Sequence, residues 1–163
     1  MLQHLITSKT RLRLLLKFFL DSRSEAYLRQ LAKEFGDSTN AVRVELNNLT
    51  EAGLLQMKEV GNTKVYKANT SHASFQDLQH MVRRFVHWDR IYPMISEGHI
   101  ESVYFSECGN TKEFECFFIT RRPDKVTISI DLDTIDCRII KPERLEEITK
   151  NCRSCFLVWS KSD

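Results

Sequence analysis

Apolar side chains recur at helical spacing in the first part of the chain, and this spacing predicts helices. The first helix covers residues 8–21, with Ser8 as its N-cap, and turns one apolar stripe inward: Leu12, Leu15, Leu16 and Phe19. A short helix over 29–35 follows a brief strand at 27–28. Gly36 ends that helix, because glycine readily takes the left-handed conformation found after a helix C-terminus.

The next stretch predicts a helix that leads directly into a β-hairpin. The helix covers 39–52, is capped by Ser38 or Thr39, and has a single apolar face formed by Val42, Leu46, Leu49 and Gly53. From 54 to 68 the period changes to two. Within this range Gly61-Asn62 lies where a tight hairpin turn joins two strands.

Polar side chains on the other face of the 39–52 helix suit nucleic acid. They can bond base edges and phosphates, and they are Thr39, Asn40, Arg43 and Asn47. The hairpin then adds Lys58, Asn62, Lys64 and Lys67. This layout predicts a winged helix-turn-helix with Asn40, Arg43 and Asn47 nearest the bases. The phosphates would be held by Arg29, Ser38, Thr39 and the four hairpin residues.

A further helix is predicted over 74–90, within a connecting segment at 73–92. Its apolar residues spread around much of the helix, which therefore needs two surfaces to pack against. Two arrangements stay open, namely a linker between two parts of one chain and a dimer interface formed by Phe75, Leu78, Met81, Val82, Phe85 and Trp88. Pro93 is expected to end this helix.

Beyond that helix, residues 93–163 predict a small α+β domain with a mostly β sheet. Runs of alternating or β-branched residues predict strands at 101–106, 113–120, 125–132, 135–140 and 156–159. A short amphipathic helix is predicted over 142–149. The fold class is therefore α+β throughout, with domains at 1–72 and 93–163 joined by the 73–92 segment.

Charge separates the two parts of the chain. Residues 1–92 hold 14 Lys and Arg against 9 Asp and Glu, whereas residues 93–163 hold 10 against 13. This asymmetry fits a first part that binds nucleic acid. The sequence lacks an apolar run of membrane-spanning length and a secretory signal pattern, so we expect a cytoplasmic protein. No cofactor is expected.

All five cysteines lie in the second part: Cys108, Cys116, Cys137, Cys152 and Cys155. An odd count in a chain expected to be cytoplasmic predicts reduced thiols. Cys152 and Cys155 have the spacing of half a zinc site or of a redox pair. The sequence leaves structural thiols open beside a metal or redox sensor, and it predicts no complete metal site.

The first part of the chain resembles a known family in four stretches: residues 27–35, 38–49, 51–55 and 61–69. They are similar to prokaryotic winged helix-turn-helix transcriptional regulators of the arsenical-repressor type. The branch that the chain looks like fuses this module to a degenerate nucleotidyltransferase-like domain. The resemblance covers about residues 5 to 90. It implies a DNA-binding homodimer that reads a palindromic site with helix 39–52 and wing 54–68, and whose effector is unknown.

Nucleotide transfer in that family requires a Gly-Ser turn, then two carboxylates two residues apart, and a third carboxylate later. Glu113, Glu115 and Asp136 have this order, but Cys108-Gly109-Asn110 replaces the turn. The other interpretation is that Glu113 and Glu115 form the solvated face of a strand. We therefore expect no enzyme. The alternatives are a winged helix that binds protein instead of DNA, or an active nucleotidyltransferase that needs Mg²⁺.

Overall fold

A computed structural model describes residues 6–107, 114–129, 132 and 134–161 of the chain. Its backbone divides into two compact units, 1–85 and 86–163. The described residues hold six α-helices and two sheets, which confirms the α+β class. No helix among them is long and apolar enough to cross a membrane.

The first unit contains four helices and a three-stranded antiparallel sheet of order β1-β3-β2. In chain order its elements are α1 (Lys9–Leu20), β1 (Glu25–Tyr27), α2 (Leu28–Phe35), α3 (Thr39–Glu51), β2 (Leu55–Val60), β3 (Thr63–Ala68) and α4 (Phe75–Phe85). The core forms around α1, which is buried from Leu12 to Leu20.

Local hydrogen bonds explain where α1 and α3 begin. The Ser8 side chain accepts from the backbone N–H of Arg11 at 3.2 Å, and the Ser38 side chain accepts from that of Ala41 at 3.1 Å. Each serine satisfies an N–H that has no partner within its helix. Both predicted caps are confirmed, and Gly36 ends α2 in the left-handed conformation as expected.

The end of α3 differs from the prediction at Gly53. The helix stops at Glu51, and Gly53 has φ +73°. The backbone N–H of Leu54 donates to the carbonyl of Leu49 at 3.0 Å, which closes the helix end in a Schellman arrangement. Gly53 is therefore the residue that terminates the helix, and its assignment to the apolar helical face is wrong.

The hairpin turn is confirmed at Gly61-Asn62. Val60 pairs with Thr63, so two residues connect β2 to β3. Gly61 has φ +59° at the first central position, which is the requirement of a type II′ turn. An L-residue would be strained in this conformation, although the space beside Gly61 is open.

Ion pairs attach α1 to the two helices that follow it. Arg13 pairs with Asp37 at 2.7 Å and Lys17 with Glu34 at 2.9 Å, and the Lys17 side chain is only 1% exposed. Arg11 pairs with Glu45 of α3 at 2.8 Å. Removing one partner of such a buried pair leaves an uncompensated charge, so these contacts make the packing of α1 specific.

The single helix predicted over 74–90 is wrong, because the chain forms two helices with a break between them. α4 ends at Phe85 and α5 (Trp88–Ser96) begins after His87, whose φ of +51° is left-handed. Phe75 contacts Phe19 in the first unit, whereas Trp88 contacts Phe105 in the second. The apolar residues of this segment thus serve two separate cores. Pro93 lies inside α5 and does not end it.

The second unit contains α5, α6 and a four-stranded mixed sheet of order β6-β5-β4-β7. The remaining elements are β4 (Ser102–Ser106), β5 (Phe114–Ile119), β6 (Ile135–Ile140), α6 (Leu145–Asn151) and β7 (Cys155–Ser160). Phe105 points toward Trp88 of α5, whereas Phe117 and Ile119 pack with Leu145 and Ile148 of α6. Because neighbouring residues of a strand point to opposite faces, each helix covers a different face of the sheet.

The strand predicted at 125–132 is absent from its described residues, 125–129 and 132. A short 3₁₀ turn (Pro123–Lys125) begins this segment, and residues 126–129 and 132 are not in a strand. The reason lies in the pairing of β5 with β6, which is parallel. A parallel pair needs a crossover that returns the chain to the starting edge, and residues 120–134 are that connection.

Candidate nucleic-acid interface

All ten side chains that the sequence assigns to DNA contact are exposed, and they lie on α2, α3 and the β2–β3 hairpin. They are Arg29, Ser38, Thr39, Asn40, Arg43, Asn47, Lys58, Asn62, Lys64 and Lys67. The buried residues of α3 are Val42, Glu45, Leu46 and Leu49. The helix therefore has a distinct polar side, and the hairpin follows it after a three-residue connection.

The cations of this surface differ from those of α1 in whether they form ion pairs with carboxylates. Arg11, Arg13 and Lys17 all form ion pairs inside the first unit. Among the described residues, no carboxylate forms an ion pair with the five exposed cations of the candidate interface, Arg29, Arg43, Lys58, Lys64 and Lys67. These five charges are available for an external anion.

The N-terminus of α3 adds further donors for an anion. The first turn of the helix carries no acidic residue, so the partial positive charge of its free N–H groups is not offset there. Ser38 is exposed and uses its oxygen as the cap acceptor, which leaves its hydroxyl proton able to donate. This end of α3 thus suits a phosphate oxygen.

The charge of Arg43 on α3 acts on the hairpin. Its charge acts on Tyr66 of β3: burial raises the pKa of Tyr66 above 10.0, and the nearby guanidinium partly opposes this rise. Arg43 is therefore near enough to β3 for its charge to affect a residue of the hairpin.

Strand register divides the hairpin lysines between two faces. Lys58 is opposite Val65, so the two share a face of the sheet. Lys67 is two residues beyond Val65 on β3 and therefore belongs to the same face. Lys64 alternates with them and shares the other face with Tyr66. Of the three lysines, Lys64 is thus the one that shares a face with Tyr66, whose pKa is affected by the charge of Arg43.

Exposed apolar side chains on the same elements were missed by sequence reasoning. Val44 of α3 is 48% exposed, and Val60 and Met57 of β2 are also open to solvent. The available signal was the position of Val44, two residues from Val42 and from Leu46, which places it opposite the apolar stripe.

The six residues assigned to a dimer interface occupy different environments. Phe75, Val82 and Trp88 are buried within the chain, Leu78 and Phe85 are half-buried, and Met81 is exposed.

The carboxylates of the predicted nucleotide site are partly brought together. Glu115 and Asp136 are directly opposite each other on β5 and β6. Arg138 bridges them, at 2.9 Å from Glu115 and 3.0 Å from Asp136. The Glu115 side chain is only 7% exposed, so its assignment to a solvated face is wrong. Glu113 and residues 108–110 lie outside the described residues.

The cysteines form different associations from those expected. Cys152 is in a disulfide and Cys155 is not, so the two are not a dithiol pair, and the expectation of reduced thiols is wrong for Cys152. Cys116 and Cys137 are neighbours on β5 and β6, which their sequence separation does not reveal. Burial, together with Cys137, raises the pKa of the Cys116 thiol well above 9.0, which favours its protonated form.

Potential metal ligands do not cluster in groups of three or more anywhere in the described part of the chain. Comparisons with protein-family models, with curated proteins and with solved structures give no match to this chain.

Proposed function

We propose that residues 1–72 form a winged helix-turn-helix that binds double-stranded DNA, and that the protein is a cytoplasmic transcriptional regulator. α2 and α3 would be the helix-turn-helix and β2–β3 the wing. The observation that carries this proposal is the run of exposed amides and unpaired cations along α3 and the hairpin. A surface of this kind offers base-edge donors and phosphate partners together.

Contacts would divide by position along the surface. α3 is proposed to enter the major groove, where Asn40 and Asn47 can pair with adenine and Arg43 with guanine. Arg29, Ser38, Thr39 and the hairpin residues Lys58, Asn62, Lys64 and Lys67 would hold phosphates. Phosphate contacts supply most of the affinity, and base contacts supply the sequence preference.

The second unit is proposed to be a regulatory or dimerising companion without catalytic activity. Support comes from Arg138, whose guanidinium already neutralises Glu115 and Asp136, the carboxylates that would hold Mg²⁺ in a nucleotidyltransferase. A homodimer remains part of the proposal, because a two-fold protein reads a palindromic site.

A protein-binding surface is the second candidate function. It is favoured by the exposed apolar side chains of Val44, Met57 and Val60, which lie on the same elements as the cations. In this alternative the interface would depend on apolar burial, and its affinity would change little with salt.

A salt titration separates the two candidates. We expect binding to a generic DNA duplex, measured by fluorescence anisotropy, to weaken steeply as salt rises. Four to five phosphate contacts per chain correspond to a slope of log K against log salt of about −3.5 to −4.5. Lys150→Ala is the matched control, because it removes one exposed cation from the second unit and should leave the slope unchanged. A flat titration of the unmodified protein would contradict DNA binding.

A further inference from the structure

Val44 occupies the centre of the solvent-exposed side of α3. Successive helical residues are rotated by about 100°, so Val44 lies about 200° from both Val42 and Leu46, which are fully buried. Its side chain is therefore directed away from the core, and its 48% exposure agrees with this placement.

Three of the four residues one turn from Val44 on the helix surface carry amide side chains, and the fourth is Ala41. Asn40 and Asn48 are one turn away at i−4 and i+4, and Asn47 is at i+3; all three are exposed. Arg43, in contrast, is about 100° from Val42 and acts on Tyr66 at the hairpin side. Val44 is thus the large exposed aliphatic side chain of this helix, and most of its neighbours on the helix surface are hydrogen-bonding groups.

Neither packing nor helix formation explains a valine at this position. Most of its neighbours along the exposed side are polar, and a β-branched residue loses side-chain freedom in a helix relative to alanine or lysine. A residue that breaks the local preference without a structural gain points to a binding role.

We propose that Val44 recognises thymine by contact with its 5-methyl group in the major groove. This inference rests on the proposed DNA-binding function and adds the base that the helix reads. The thymine methyl is the apolar group that standard base pairs present in that groove, and the amides of Asn40 and Asn47 suit the adenines of the same A·T-rich steps. Val44 is then a specificity-determining residue of the interface.

The test compares thymine with deoxyuridine, which lacks only the methyl group. The probe is the duplex that the unmodified protein enriches most strongly from a random-sequence library, with each thymine replaced in turn. We expect affinity to fall about fourfold at one or two positions, which corresponds to about 0.8 kcal/mol for one buried methyl. Val44→Ala should weaken binding to the thymine duplex and lose this sensitivity to deoxyuridine.

Val60→Ala is the matched control, because Val60 is equally exposed, at 47%, but lies at the end of β2. This variant should keep the sensitivity of the unmodified protein to deoxyuridine at the same positions. The effects of Val60→Ala and of the thymine replacement on the binding free energy should therefore be additive. The inference is overturned if Val44→Ala stays as sensitive as the unmodified protein, or if no thymine position is sensitive. If no duplex is bound in a salt-dependent manner, the proposed function fails and this inference fails with it.

Discussion

At the scale of single residues, the two faces of the hairpin give Lys64 and Lys67 different surroundings. Lys64 is two residues beyond Asn62 of the turn and shares a face with Tyr66, on which the charge of Arg43 acts. Lys67 lies on the opposite face, with Lys58, and each of the two lysines has a glutamate as its register partner: Glu59 for Lys64 and Glu25 for Lys67. Sequence alone assigns the same phosphate-binding role to both lysines, whereas the strand register places them on opposite faces of the sheet.

We therefore expect Lys64→Ala to weaken DNA binding more than Lys67→Ala. The first change should reduce the magnitude of the salt slope by about 1, the value of one lost phosphate contact. The second should reduce it by less than half of that amount. Anisotropy titrations of the two variants check this, and equal effects, or a larger effect of Lys67→Ala, would refute the assignment of faces.

Residues whose role depends on neighbours in sequence were predictable, whereas those that depend on strand register were not. Ser8, Ser38 and Gly61 act on backbone groups within three residues, so their caps and turn could be read directly. The pairing of Glu115 with Arg138 joins two strands. It follows from which strands become neighbours, and no local pattern encodes that choice.

At the scale of elements, the contact between α1 and α3 depends on Glu45. Its carboxylate accepts from Arg11 Nε at 2.8 Å. Burial alone would raise the pKa of Glu45, but hydrogen bonds from Ser8 and Arg11, with the charge of Arg11, outweigh this and hold the pKa below 4.5. The ionised carboxylate thus stabilises the first unit.

This predicts a pH-dependent effect of Glu45→Gln. Because the folded-state pKa is lowered, the contribution to the free energy of unfolding is complete above pH 4.5 and is lost as the pH falls through the folded-state value. We expect a loss of about 1 kcal/mol at pH 7, since Arg11 is partly exposed, and a smaller difference below pH 4.

Urea unfolding at several pH values measures this difference. Both tryptophans, Trp88 and Trp159, lie in the second unit, so helical circular dichroism is the better probe of the first. Glu51→Gln, an exposed change on the same helix, should leave the stability near that of the unmodified protein at pH 7. A difference between Glu45→Gln and the unmodified protein that stays constant with pH would contradict the prediction.

Whole elements were predictable where one periodicity identified one core. The stripe of α1 and the alternation of the hairpin are of this kind. The 74–90 segment carries apolar residues on several sides, and a left-handed His87 lets Phe75 and Trp88 enter different cores. The 125–132 segment has the composition of a strand but serves as the crossover of a parallel pair. In both segments, contacts with distant parts of the chain determined the structure, and the local sequence pattern did not.

At the scale of the whole molecule, the chain combines a basic first part with an acidic second part. All ten residues proposed to contact DNA are exposed, whereas the exposure of Val44 was not predicted from the sequence. The exposed face of α3 is therefore the part of the molecule on which proposed base recognition depends.

Selection of bound fragments from a random-sequence duplex library tests the central claim most directly. The unmodified protein should enrich one sequence arranged as an inverted repeat, with half-sites about ten base pairs apart, as a two-fold dimer requires. A variant with Asn40→Ala and Arg43→Ala should lose this enrichment and keep weak, salt-dependent binding to generic DNA. Failure of the unmodified protein to enrich any sequence, or enrichment of the same sequence by the variant, would contradict a DNA-reading α3.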